Sequence, residues 1–517
     1  MKNTELLQQN TLASLHFFES ELFKEVQLSG LFDDSKTFAD AIPKIALSEI
    51  SQHYQIELKG NIPIDLKKFI AKYFDLSEDS EITIEESKVC IDQHIQALWH
   101  ILKKTPDYYL AGSLLPLQKP YIVPGGRFRE IYYWDSYFTS LGLIESKQIT
   151  LVESMLENFI DLQSRYGLIP NGNRSYYLSR SQPPILGLLV ELLLPYKKDK
   201  QAFIHKNIAG VEAEYQFWMQ GHDRLSGTCT EHKRVVKMPN GSYLNRYWDD
   251  NASPRPESYL EDIELLETSK PDDSSEFYRN IRAACESGWD FSSRWLGDDH
   301  SLASIRTTRI IPVDLNCLLY KQEKLLSNYY AELGNTHNSL KYTQYSQARK
   351  LAIQHYMWSE NHSFYMDFDL DKKTVSSIKS LAGILPLFVE LADPKQAQQV
   401  SQQIESLFLK EGGLVTTVID STQQWDSPNG WAPLHWFVAQ GLLNYQLVDL
   451  AGSIQQRWLD TVEKYFLKTG KIMEKYNVLE QSHKAEGGEY DVQEGFGWTN
   501  GIYQAFSAQI KKRNSVK

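Results

Sequence analysis

From residue 149 onward the apolar positions of the chain return with the period of a helix. In ITLVESMLENFIDLQSRY, residues 149–166, the pairs Leu151/Val152, Met155/Leu156 and Phe159/Ile160 recur every four residues, and Gly167 stands where a left-handed cap would end the helix. The same pattern predicts helices over 203–219, 275–296, 313–333, 339–358, 380–392, 395–409, 431–447, 451–468 and 498–512. Strand-like alternation is scarce beside them, so the fold class expected is all-α. Three exits resemble one another: Gly167 leads into Leu168 and Ile169, Gly413 into Leu414 and Val415, and Gly470 into Lys471 and Ile472. A repeated helix, cap and short extended stub suggests a helical toroid whose stubs line a central pocket at one end of the ring.

No Pro/Gly/Ser linker and no block of like charge divides the chain, which predicts one domain over residues 31–517 and a loosely ordered extension over residues 1–30. The acidic run DFDLDKK at 367–373 has Lys372 where a calcium loop needs its sixth-position glycine and Ile378 where it needs its twelfth-position glutamate, so a polar turn with a short hairpin is expected instead. At 517 residues, 42% hydrophobic and 23% charged, the composition is that of an ordinary globular chain. A formal net charge of -12 argues against nucleic acid or an anionic membrane as partner and leaves a neutral small molecule. Cys90, Cys229, Cys285 and Cys317 form no CxxC pair, and no His/Cys/Asp/Glu cluster has ligand spacing, so no metal and no cofactor are expected. The N-terminus lacks the unbroken apolar run of a secretory signal. The most apolar stretch, residues 183–196, is too short to span a bilayer and carries Glu191. Both point to a cytoplasmic protein, and a monomer is the default in the absence of a coiled-coil pattern.

Two segments carry chemistry. PGGRFREIYYWDSYF, residues 124–138, sets a turn at Pro124, Gly125 and Gly126 beside the donor fork of Arg127, and Trp134 beside the acceptor Asp135. A flat apolar wall next to a fixed acceptor matches the two surfaces of a sugar, its C–H face and its hydroxyl edge. QQWDSPNGWAP, residues 423–433, repeats the theme with Trp425, Asp426 and Trp431 around a turn. A lone RxxE or WD is more often a structural loop; the joint occurrence moves the odds toward a sugar site.

These two segments resemble, along their whole length, the signatures of the trehalases of glycoside hydrolase family 37. The resemblance continues in LFDDSKTFAD (31–40), LIPNGNRSYYLSRSQPP (168–184), NRYWDDNASPRPESY (245–259), ESGWDFSSRW (286–295) and GGEYDVQEGFGWTNG (487–501). It implies an (α/α)6 barrel with a loop-built pocket that cleaves α,α-trehalose with inversion and without a metal. The family's general acid falls on Asp290 and its general base on Glu489. Its sugar-binding positions fall on Arg127, Trp134, Asp135, Asn171, Arg180, Ser181, Gln182, Arg255, Pro256, Glu257 and Gly288, with Trp425, Asp426 and Trp431 as further pocket residues.

The residues themselves fit these roles. Asp290 follows Gly288 and Trp289, so an aromatic wall would raise its pKa, and Glu489 sits in a glycine-bearing stretch able to close over a substrate. Inversion requires the two carboxyl groups to stand roughly 6.5 to 9.5 Å apart. One departure is visible: the family's base follows a longer glycine run, whereas Ala485 and Glu486 precede Gly487 and Gly488 here. Two competing expectations are another α-glucosidase on the same barrel and a catalytically silent trehalose-binding regulator.

Overall fold

The computed structural model describes residues 2–60, 64–76, 90–107, 111–298, 300–480, 485 and 487–516. Six helices form a closed ring: Asp135–Glu145, Leu186–Leu193, Val313–Glu332, Leu385–Phe388, Ala432–Asn444 and Gly497–Val516, each packed on the next and the last on the first. They are covered over most of their length, and in the first of them every residue from Asp135 to Ile144 is buried. The seam between first and last needs close approach, and a Cβ on Gly142 would stand 2.5 Å from the Cα of Gly501.

A second layer lies outside the ring, made of Ile91–Leu102, Ile149–Tyr166, Lys200–Trp218, Thr336–Tyr356, Pro394–Gln403 and Val448–Thr469. The Ile149–Tyr166 helix buries the stripe Leu151, Val152, Met155, Leu156, Phe159 and Leu162, and Gly167 ends it at φ 78°. Gly470, at φ 71°, ends Val448–Thr469 in the same way. The strands are two or three residues long and belong to the stubs and hairpins at the ring's ends. Phe368–Asp369 pairs with Thr374–Val375, which is the hairpin expected in place of a calcium loop.

Several sequence expectations are corrected. The helix predicted over 275–296 ends at Ser287, because Gly288 adopts φ 74° and turns the chain inward. The run 380–392 breaks into a 3-10 turn, Leu381–Ile384, and the short helix Leu385–Phe388. Gly413 caps no helix; it sits in the hairpin that joins Leu409–Lys410 to Gly413–Leu414. The first thirty residues are not loose either. Lys2–Phe18 and Glu21–Leu28 are helices whose Phe17, Phe18, Leu22, Phe23 and Val26 enter a second buried cluster with Phe38, Phe69, Phe74, Tyr132, Tyr176 and Tyr177. Ser14 donates to Ser175 Oγ at 2.7 Å, and Gln27 donates to the carbonyl oxygen of Pro256 at 3.0 Å. Burial of these five aromatic or aliphatic side chains, each contributing about 1.5 to 3 kcal/mol, holds the segment against the fold.

Candidate active site

The first signature enters the ring as its first helix. Trp134 precedes Asp135–Glu145, and the Trp134 amide donates to Gln182 Oε1 at 3.0 Å, which ties this signature to the SRSQ run. At the seam opposite, the Ser274–Ser287 helix ends at Gly288, whose added Cβ would stand 3.0 Å from the Trp134 ring; only a glycine lets the chain pass here and deliver Trp289 and Asp290. The second signature fastens that delivery. Trp425 N–H donates to the Phe291 carbonyl at 3.0 Å, and the buried Asp426 accepts from Ser292 Oγ, Ser293 N–H, Ser293 Oγ and Thr417 Oγ1 at 2.7 to 2.9 Å.

These elements meet around one open cleft lined by residues of both signatures. Its floor and one wall are tryptophan: Trp425 and Trp431 stack at 4.0 Å, Trp289 stacks on Trp425 at 5.5 Å, and Trp134 and Trp498 close on them at 6.2 Å each from Trp425. Across from this wall lie fixed guanidinium groups. Arg180 donates to Asn171 Oδ1 at 3.1 Å, Asp249 at 3.3 Å and Glu257 at 2.6 Å, with its plane over the Tyr177 ring. Arg255 forks onto Asp262 and donates to Glu489 Oε1 at 2.8 Å. Arg127 donates to Asp34 at 2.7 Å, stacks 4.8 Å over Tyr490, and leaves its buried Nε without a partner. Buried cations held this way are neutralised by their acids and keep directional donors for a neutral ligand.

Five carboxyl groups line the cleft around these cations: Glu257, which is paired with Arg180, and Asp135, Asp290, Glu474 and Glu489. Burial pushes Asp290 up to about 7; the nearby Glu489 carboxylate adds to the rise, and the Arg255 guanidinium opposes it. Burial also raises Asp135 well above the usual carboxyl range, with the charges of Glu474 and Asp290 acting in the same sense. Glu474 is raised by burial too, against the pull of the adjacent Lys475 ammonium. It lies at the end of the Gly470 stub: its backbone N–H donates to the Gln493 carbonyl, and its own carbonyl accepts from Trp498 Nε1 at 2.9 Å. Its Oε1 accepts from Tyr490 at 3.0 Å and its Oε2 has no partner. Glu489, by contrast, is on the loop side, about a quarter exposed and engaged with Arg255.

Of the residues named from sequence, Arg127, Trp134, Asp135, Asn171, Arg180, Gln182, Arg255, Glu257, Gly288, Asp290, Trp425, Trp431 and Glu489 all line the cleft. Three do not. Ser181 spends its hydroxyl on the Ile169 carbonyl and its N–H on Glu286. Pro256 turns its carbonyl to Gln27 of the N-terminal helices. Asp426 is consumed in holding the loop after Asp290. The glycines before Glu489 are explained by contact: a Cβ on Gly487 would stand 2.5 Å from the Thr422 carbonyl oxygen, and one on Gly488 2.7 Å from Gln424 Oε1. Glu486, singled out in sequence, lies outside the described residues.

The reading from sequence missed Lys36, Tyr132, Tyr177, Cys285, Glu474 and Trp498, which also line the cleft. Glu474 was within reach, since the Gly470 stub was recognised and it stands four residues further along. Among the described residues no group of three His, Cys, Asp or Glu side chains is arranged to hold a metal ion. No helix among them is long and apolar enough to cross a membrane.

Comparison with known proteins agrees with this geometry. The trehalase family profile matches residues 30–510. A periplasmic trehalase from Citrobacter koseri is 43% identical over 484 residues, covering 93% of this chain and 84% of that one. A periplasmic trehalase from Escherichia coli O8 is 43% identical over 482 residues, covering 93% and 85%. Among solved structures, the neutral trehalase of Saccharomyces cerevisiae superposes with a TM-score of 0.61 at 27% identity, over 75% of this chain and 73% of that one. A mannosylglycerate hydrolase from Thermus thermophilus shares the fold, with a TM-score of 0.55 at 16% identity over 81% of this chain and all of that one. The periplasmic relatives overturn the cytoplasmic expectation. The first residues form the helix Lys2–Phe18, which packs into the second aromatic cluster, so their polarity reports packing and not compartment. A family profile spanning nearly the whole chain, relatives at 43% identity and the (α/α)6 ring around a tryptophan-walled acidic cleft together show that this chain belongs to the trehalase family of glycoside hydrolases.

Proposed function

We propose that the chain hydrolyses α,α-trehalose to two glucose molecules with inversion at the attacked carbon, in the periplasm, as its relatives' compartment suggests. The observation that carries the reading is a pair of carboxyl groups in one tryptophan-walled cleft, Glu474 buried and Asp290 half-buried, the latter held protonated to about pH 7. Asp290 donates that proton to the bridging oxygen as the bond breaks. The tryptophans take the C–H faces of the sugars, and Arg127, Arg180 and Arg255 with their acids take the hydroxyls.

The general base is better assigned to Glu474 than to Glu489, where sequence put it. Glu474 is held by its backbone on both sides and offers an unpartnered oxygen to the cleft, which is what abstraction of a proton from water requires. Glu489 already accepts from Arg255 and sits nearer solvent, a position suited to binding a hydroxyl at the rim.

Glucose release by purified protein from trehalose and from maltose tests the substrate: faster release from maltose supports the broader α-glucosidase reading, and none from either the silent regulator. Azide tests the base, because it attacks without giving up a proton. With azide, Glu474→Gln should regain turnover and form β-glucosyl azide, while Glu489→Gln should not; the reverse result returns the base to Glu489.

A further inference from the structure

Next to Glu474 in the chain, Lys475 is fully buried, yet the mechanism so far gives it no task. Its strand, Lys475–Asn477, pairs with Asn429–Trp431, placing Lys475 opposite Trp431 with the ammonium 5.2 Å over that indole. Nζ donates to Gln424 Oε1 at 2.9 Å and to the Gly487 carbonyl at 2.7 Å. Both acceptors are neutral. Gln424 is buried too, and its Nε2 donates to the Asp290 carbonyl oxygen. The Gln424 carbonyl is fixed in turn by Asn429 Nδ2 and Trp431 Nε1.

One cation therefore sits at the junction of the two segments that carry Asp290 and Glu489. Burying an ammonium against neutral oxygens costs several kcal/mol, and its pKa falls to about 8 for that reason, with Glu474 and Asp290 acting the other way. A methionine would fill the same space without that cost. A local rule broken beside reacting groups is the mark of a functional constraint.

We propose that Lys475 is a positioning residue that fixes Asp290 through Gln424 and anchors the Gly487–Glu489 backbone to the same point. By pinning the Gln424 oxygen, it aims the amide nitrogen at the Asp290 carbonyl and sets the peptide plane from which the acid's side chain leaves. The inference rests on Asp290 being the acid.

The test uses leaving groups. Trehalose needs a proton on its departing oxygen, whereas α-glucosyl fluoride releases fluoride with little help from an acid. Lys475→Met should lower kcat on trehalose roughly 10- to 100-fold, the loss expected when a catalytic group is misplaced by about 1 Å. On the fluoride the loss should stay below about threefold. Gln424→Glu keeps an acceptor for Lys475 but removes the donor to Asp290, so it should show the same selectivity, and it is available if the methionine variant does not fold. The double variant should be no slower than the slower single one, because both act along one path. Equal loss on both substrates, no loss on either, or additive losses would overturn the inference. Asp290→Asn, run alongside, separates the two claims: if it too loses both substrates equally, the acid assignment has failed, whereas if it is selective and Lys475→Met is not, only the role of Lys475 has failed.

Discussion

Asp290→Asn should make the protein more stable as it makes it inactive, and the gain should grow with pH. The carboxyl is raised from 3.8 to about 7, chiefly by burial, so between these values the folded chain holds a proton that the unfolded chain releases. Stability from this group is fully present below about pH 3.8 and is lost as pH rises toward 7, then stays level. Three units at about 1.36 kcal/mol each give about 4 kcal/mol, and water in the open cleft screens this to about half. Roughly 1 to 2 kcal/mol of the difference develops between pH 4.5 and 8. Unfolding entropy of about 2.1 cal/mol/K per residue comes to about 1 kcal/mol/K for 517 residues. The Tm of the asparagine variant should therefore pull ahead of the parent by about 1 to 2 °C over that pH range. Paired thermal melts by circular dichroism at pH 4.5, 6, 7 and 8 read it directly. A gap that does not change with pH would mean that Asp290 is not held protonated by its surroundings, and the argument for it as the acid would lose its physical basis.

Arg127→Ala should lower kcat/KM by about 1.5 to 3 kcal/mol, or about ten- to a hundred-fold, with little change in Tm. Arg180→Ala and Arg255→Ala are poorer probes, since each strands a buried acid, Glu257 or Asp262, and should cost about 3 to 5 kcal/mol of stability as well. Gly288→Ala places a Cβ 3.0 Å from the Trp134 ring at φ 74°; we expect at least about 1 kcal/mol of lost stability, read by melting, and a fall in kcat. Anomeric proton NMR recorded before mutarotation should show α- and β-glucose appearing together in equal amounts, and initial release of α-glucose alone would contradict inversion.

Most of the outer layer was legible in sequence because each of its helices has one wet face, and Leu151 to Leu162 print that asymmetry as a four-residue period. The inner helices are covered over most of their length, so there the same apolar pattern has to mark the element with little polar contrast. That failed at 380–392, where Pro386 and tight packing replace a regular helix. The site was legible wherever a residue's chemistry shows in its immediate neighbours: Trp134 beside Asp135, Trp289 beside Asp290. It was hidden where a role depends on a contact across the chain. Asp426 reads as a pocket residue until Ser292 and Ser293 are found consuming it, and Glu474, unmarked by its sequence neighbours, is found in the cleft only once the ring closes. Gly487 and Gly488 read as freedom and are a tight fit.

The aromatic cluster that holds the N-terminal helices also contains Tyr132 and Tyr177, whose rings face the cleft. Asp34, the partner of Arg127, and Lys36 come from the same region. The rim of the cleft thus belongs to a smaller cooperative unit than the ring, with less buried surface to hold it shut. Opening of that unit would expose Arg127 and Tyr177 while the six inner helices remain packed, so activity should disappear at a lower temperature than the barrel melts, read by assaying heated samples beside a circular-dichroism melt.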